Sequence, residues 1–252
     1  KTNDGGESWT NSTDFLIASG VNTISVSPFD PQRVLINVKN SHNDATHGIY
    51  ESSDAGETWN ITNFNPDNLG WGGLGTNNRI HKIMYHPTIE DLVFVGTSEG
   101  IYRSEDNFNT FSASQVENIF NMSGSFDFIE FHPENENIIY LTNKNNYQNI
   151  YISFDKGLNF LNSGLLIENN SPIKLSISNA CSDCVYVASS DGIWKSENFG
   201  FSFTMASNPE ITNYGAFAVS DTDTNYMLLG DIDTHMSNDG GQTFSQATFW
   251  ST

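Results

Sequence analysis

The side chains in this chain that could do chemistry fall into a few groups. His42, Asp44 and His47 sit within one short stretch, residues 41–47, and imidazole with carboxylate is a donor set that suits a transition metal. Simple solvation in a surface loop accounts for the same trio, and no metal or cofactor is expected. Trp71 lies in a Gly-rich stretch, residues 65–79, where it could stack on a sugar ring or a partner side chain, or tuck into the protein. Arg79 closes that stretch and could clamp an acid, from a ligand or from the chain itself. Tyr147, among asparagines, is a weaker candidate for the same surface. Glu99 and Asp191 are the acids to test for glycoside hydrolysis, which uses two carboxyls across a cleft. Both precede a Gly in similar surroundings, and that recurrence favours a structural role. Cys181 and Cys184 form a CxxC followed by a strand-like run, CVYVASS, and not by a helix. A turn-closing disulfide or an unpaired structural couple fits better than a redox pair or a zinc site.

These residues must be positioned by a repeat. Eight-residue patterns begin at residues 2 (TNDGGESW), 52 (SSDAGETW), 104 (SEDNFNTF), 153 (SFDKGLNF), 196 (SENFGFSF) and 237 (SNDGGQTF). A hydroxyl opens each copy, an acid or amide follows two later, and an aromatic closes it. Spacings of about 40–50 residues signal an array of supersecondary units that cannot bury their apolar faces alone. The hydroxyl and carboxylate can bond N–H groups of their own turn, and the Gly suits a left-handed position.

The pattern resembles the Asp-box, or bacterial-neuraminidase repeat, of β-propellers in sialidases, sortilin-type receptors and xyloglucanase-like hydrolases. The resemblance implies an all-β fold, a β-propeller of four-stranded antiparallel blades with Asp-box turns. It gives structural roles to Asp4, Asp54, Asp106, Asp155, Asn198 and Asp239. Two copies depart from it, with Phe108 for the Gly and Asn198 for the Asp, so those turns are expected to be looser or differently bonded. Residues 75–107 also resemble a run found in propellers exported by the Bacteroidetes type IX secretion route and, more loosely, a xyloglucanase blade. That likeness would put Arg79 at the mouth of a central channel.

Apolar or alternating runs of four to eight residues between Gly, Pro, Asn and Asp clusters set the expected organisation. Residues 1–20 hold the outer strand of an incomplete blade. Blades follow at 21–64, 79–118, 119–165, 166–208 and 209–252, with a long inter-blade loop at 65–78, all in one propeller domain. Five blades and one strand suggest a partial ring belonging to a longer chain. His86 and His132 fall in equivalent turns and are expected to be structural. The acidic run 221–225 falls in the same kind of turn, and it lacks the Gly and Glu of a calcium loop.

The 30 acids against 10 Lys and Arg give a net charge of −20, which disfavours phosphate backbones and anionic membranes. No run approaches the roughly 18 apolar residues of a membrane span. Sialidase chemistry needs three clamping arginines, yet Arg33, Arg79 and Arg103 are all there are, and Arg79-Ile80 continues with His81. The expectation is a non-catalytic exported or cell-surface propeller that binds a protein or glycan as part of a larger assembly. The alternative is a fragment of a xyloglucanase-like glycoside hydrolase.

Overall fold

The computed structural model describes all residues except 15, 17–19, 41–45, 72–78, 118–125, 144–149, 166–172, 190, 210–214, 231–232 and 249–252. The chain divides into two compact units, Lys1–Ser114 and Gln115–Thr252.

The first unit holds two antiparallel sheets, each with its strands in chain order. One comprises β1 (Gly20–Val26), β2 (Val34–Lys39), β3 (Thr46–Ser52) and β4 (Asn60–Ile61). A single helical turn, α1 (Pro66–Leu69), leads to the second: β5 (Ile80–Tyr85), β6 (Val93–Thr97), β7 (Ile101–Ser104) and β8 (Ser112–Ala113). Asn65 caps the helical turn by accepting from the Asn68 N–H, and left-handed Gly70 ends it. No strand forms among the described residues before β1, where Thr10 donates its N–H to the Lys1 carbonyl.

The second unit holds three sheets. Its first contains β10 (Phe126–Phe131), β11 (Ile139–Asn143), β12 (Ile150–Ser153) and β13 (Asn159–Asn162). A fifth strand, β9 (Gln115–Val116), pairs parallel to β13, so this sheet departs from the expected four antiparallel strands. The next comprises β14 (Lys174–Ser178), β15 (Cys181–Ser189), β16 (Gly192–Ser196) and β17 (Thr204–Ser207). The last comprises β18 (Ala216–Val219), β19 (Met227–Gly230), β20 (Thr234–Ser237) and β21 (Ser245–Gln246).

Sheets stack face to face within each unit, because second strands such as β2, β6 and β11 are apolar on both faces and must be covered twice. In the first unit Leu35 and Ile49 meet Ile83, Val93, Val95 and Phe108. In the second, Tyr140 and Ile152 meet Leu175 and Val187, while Cys184 and Tyr186 meet Val219 and Met227. Hydroxyls stitch the first strands together. Ser25 accepts from the Tyr85 N–H at 3.1 Å, and Ser176 from the Val219 N–H at 3.0 Å.

Candidate functional site

The turns at one end of each sheet are built alike. In the copy at residue 52, the Ser52 hydroxyl donates to Asp54 Oδ1 at 2.7 Å and accepts the Gly56 N–H at 2.7 Å. Thr58 donates its N–H to Oδ1 at 2.8 Å and its hydroxyl to Oδ2 at 2.6 Å. Asp4, Asp155 and Asp239 repeat the scheme with Ser8, Asn159 and Thr243 as partners. Four of these turns are tied to the end of the sheet where its first strand passes to its second. Ala55, Lys156 and Gly240 donate their N–H groups to the carbonyls of Gln32, Asn137 and Asn225 in the connecting turns, and Phe199 donates to the Asp183 carbonyl near the start of β15.

The two departures are not looser. Around Phe108 the bonds are complete: its N–H reaches Ser104 Oγ at 2.8 Å, and Thr110 donates twice to Asp106 at 2.8 Å. The pattern tolerates a non-glycine because the ring leaves the turn for the core and is fully buried. At Asn198 the geometry persists with one donor reversed, the amide giving to Ser202 Oγ at 2.9 Å where an Asp would accept. A carboxamide needs only a hydroxyl that can turn round.

These bonds hold the carboxylates ionised. The Thr58 hydroxyl and N–H lower Asp54 to about 2, and Thr243 lowers Asp239 to about 2. Burial opposes the shift at Asp106 and Asp155, but the bonds from Thr110 and Asn159 outweigh it. Unfolded, Asp54 titrates near its ordinary 3.8. Between 3.8 and about 2 the unfolded chain therefore binds a proton that the folded chain does not, so stability falls as pH drops through that window. Asp54→Asn is expected to fold at neutral pH, on the precedent of Asn198. Its urea midpoints should fall less steeply than those of the wild type between pH 4 and pH 2, a window taken from the ordinary 3.8 and the lowered value of about 2. Parallel curves would mean that the carboxylate is not linked to folding.

A second set of groups lies on the same face of the first unit. Arg33 pairs with Asp91 and, at 3.6 Å, with Glu51. Asn107 donates to Asp91 at 2.8 Å and accepts from the Tyr85 hydroxyl at 2.8 Å. Burial pushes the Glu51 carboxyl up, against the pull of Arg33 and with help from Asp91. Nothing in the amino-acid pattern signals this network, because its members come from five separate turns and strands.

His86 and His132 are turn residues. Nδ1 of His86 accepts the N–H groups of Thr88 and Ile89 at 3.2 and 3.1 Å, and that of His132 accepts those of Glu134 and Asn135 at 3.1 and 3.0 Å. Ser27, Ser178 and Ser220 do the same job with a hydroxyl in the other sheets. Burial lowers the His132 pKa, in keeping with a neutral ring. Cys181 and Cys184 form a disulfide inside β15, with Ser178 pairing opposite Cys181, so the CxxC lies in a strand and not in a long turn.

Of the loop residues offered as ligand candidates, Trp71, Arg79 and His47 are among the described residues, and each has its own setting. Trp71 is 6% exposed and packs edge-on to Phe64 at 5.9 Å and to Tyr102 at 6.4 Å. Its ring is used in the core, where covering Phe64 removes more apolar surface from water than a loop position would. Arg79 is exposed at the start of β5, its N–H donating to Ser98 Oγ at 3.0 Å. His47 is half-buried in β3. His42, Asp44 and Tyr147 lie outside the described residues.

A cleft of about 380 Å³ lies instead on the turn face of the second unit, between the β14–β17 and β18–β21 sheets. Tyr186, Lys195, Thr204, Asn225, Asp239 and Gln242 are among its lining residues. Tyr186 and Lys195 face each other across β15 and β16, with the ammonium 5.9 Å from the ring centroid. Lys195 pairs with Glu197 at 2.6 Å, which raises the lysine pKa and lowers that of the glutamate. The Tyr186 hydroxyl is buried and has no hydrogen-bond partner among the described residues. Sequence reasoning passed over this tyrosine because an aromatic in an apolar strand reads as core.

Repeated four-stranded sheets, stacked face to face and tied at one end by twin turns, match solved structures of one architecture. A GH74 enzyme from Niastella koreensis superposes with a TM-score of 0.66 at 19% identity, over 90% of this chain and 38% of that one. The fold is a β-propeller. The extracellular domain of BT4673, a putative one-component system from B. thetaiotaomicron, matches with a TM-score of 0.60 at 14% identity, over 96% of this chain and 29% of that one. YCF48 bound to D1 peptide matches with a TM-score of 0.58 at 15% identity, over 90% and 66%. No protein-family model matches the chain, and no curated protein does. The chain spans 38% of the first of these structures, and at such identities the likeness carries the propeller fold and no activity.

Proposed function

We propose that this chain is a non-catalytic propeller module, exported or displayed at the cell surface, that binds a protein or glycan within a larger protein or assembly. The observation that carries this reading is the contrast on the turn face of the second unit. Its turn carboxylates are committed to their own turns, while the cleft beside them presents the exposed carboxamides of Asn225 and Gln242. A carboxylate held ionised by three or four donors is a poor general acid, whereas an open cleft with unspent donors and acceptors suits recognition. Like folds serve as an extracellular domain and in a complex with a peptide. We also read the six turns as structural Asp-boxes, in line with their likeness to sortilin-type and type IX-exported propellers. The GH74 likeness keeps a second reading, a fragment of a xyloglucanase-like glycoside hydrolase using paired carboxylates.

The two readings separate when the protein is incubated with soluble xyloglucan and new reducing ends are followed. None are expected. Reducing ends that appear with the wild type and vanish in Glu99→Gln or Asp191→Asn would establish the hydrolase in place of the binding module.

A further inference from the structure

We propose that the open face of β1, which carries Val21, Ile24 and Val26, is the seat of the three inner strands of a further blade, supplied by the same polypeptide and entering through Lys1. The inference rests on the larger-protein part of the reading above and names the surface that the rest of that protein covers.

The face is apolar and uncovered. Thr23 and Ser25 turn toward β5, where they accept the Ile83 and Tyr85 N–H groups, so Ile24 and Val26 point to the opposite side. Ile24 stands three residues before Ser27, as Ile83 stands before His86 and Leu175 before Ser178. Ile83 and Leu175 are 1% and 2% exposed, each packed on the preceding sheet, whereas Ile24 is 63% exposed. Val21 and Val26 are exposed beside it. A position that is core in two blades and bare in a third marks a missing neighbour of the same kind.

The outer part of that neighbour is already in place, and it decides what the rest is. Thr2 donates to Asp4 and accepts the Gly6 N–H, as the openers of the other turns do. The Lys1 amino group donates to the Thr10 carbonyl at 2.7 Å, and the Thr10 N–H returns a bond to the Lys1 carbonyl at 2.8 Å. Glu51 and Asn60 hold the matching places in the next repeat, paired across β3 and β4. Lys1 therefore occupies the end of a third strand and Thr10 the start of a fourth. Beyond the open patch, Trp59 donates to the Ser12 carbonyl at 3.0 Å, and Leu16 and Trp59 cover Val34, Ile36 and Val38. What remains to be filled is a first, a second and a third strand, the third running into Lys1. The last sheet of a second copy does not fit. It would bring its own turn at 237–244 and its own outer strand, β21, into the place that residues 2–14 hold.

The test is thiol labelling of Ile24→Cys, in this chain and in the protein as its source organism makes it. Cys181 and Cys184 are tied in a disulfide, so the new thiol reacts alone. A maleimide should modify it freely in this chain and about 100-fold more slowly in the source protein, where labelling must wait for local opening. Met205→Cys, exposed in β17, is the control and should react alike in both. Should the substituted source protein fail to fold, amide exchange across β1 in the unsubstituted pair decides, and it should be slower in the source protein. A source protein that begins at Lys1, or equal labelling in the two, would overturn the proposal. Protection in this chain alone that grows with its concentration would give the face to a second copy and overturn it as well. The binding reading fails separately. Reducing ends released from xyloglucan with the Ile24→Cys thiol protected would remove that reading and leave this inference standing. A thiol that stays reactive in a source protein without hydrolase activity would do the reverse.

Discussion

Replacing Gly192 by alanine is expected to destabilise the fold by about 3 kcal/mol, while the same change at Gly100 should be close to neutral. The two glycines occupy matching places, Asp191-Gly192-Ile193 and Glu99-Gly100-Ile101, and a sequence pattern gives them equal weight. Their surroundings differ. Gly192 has φ 140°, and a Cβ there would stand 2.5 Å from the Ser207 backbone carbonyl, in the strand that pairs with β16. Neither partner can give way, because Ile193 is bonded to Ser207 in the ladder and Ser189 pairs with Gly192 on the other side. At Gly100 φ lies outside the left-handed region, and a Cβ would meet nothing within 4 Å. Urea denaturation of both variants decides the matter. Equal costs would show that the close approach at Ser207 is not what keeps Gly192 a glycine.

The glycine pair shows where sequence reasoning stops in this protein. The repeat was legible because its chemistry is local: a hydroxyl, a carboxylate and the N–H groups they bond lie within seven residues. Strand positions followed from apolar runs that each span one element. What escaped depends on partners distant in the chain. The parallel strand β9 exists because Gln115 and Glu117 donate to the Leu158 and Phe160 carbonyls, a pairing with no periodic signal. The network around Arg33 needs Glu51, Asp91 and Asn107, which share no motif. Trp71 was open to two fates, and the choice was made by Phe64, Tyr102 and Phe111, whose rings form an aromatic cluster with it. The cleft was hidden for a related reason. Tyr186 and Lys195 come from one blade and Asn225 and Gln242 from the next, and no single stretch of sequence contains the set.

Phe108→Gly, which restores the residue that the other five turns carry, is expected to destabilise the protein by about 2–4 kcal/mol. Local strain alone argues the other way. Asn107 and Phe108 are consecutive left-handed residues, with φ 53° and 65°, and a glycine would relieve the second at no steric cost. That relief is worth about 1 kcal/mol. Against it stands a ring that is fully buried, 5.3 Å from Phe64, among Leu35, Ile83, Val93 and Val95. Losing a buried phenylalanine costs about 3–5 kcal/mol, in transfer free energy and in the cavity left behind. Packing therefore outweighs strain. Gly200 and Gly241 show why the exchange is specific to this blade. A Cβ at Gly200 would meet Ile152 Cδ1 at 2.9 Å, and one at Gly241 would meet Met227 Sδ at 2.9 Å, so in those blades a neighbour already fills the place that the Phe108 ring takes here. Phe108→Ala separates the two contributions, since it keeps the strained backbone and loses the ring, and it should be the least stable of the three proteins. A Phe108→Gly variant more stable than the wild type would mean that the turn, and not the aromatic cluster, limits the stability of this unit.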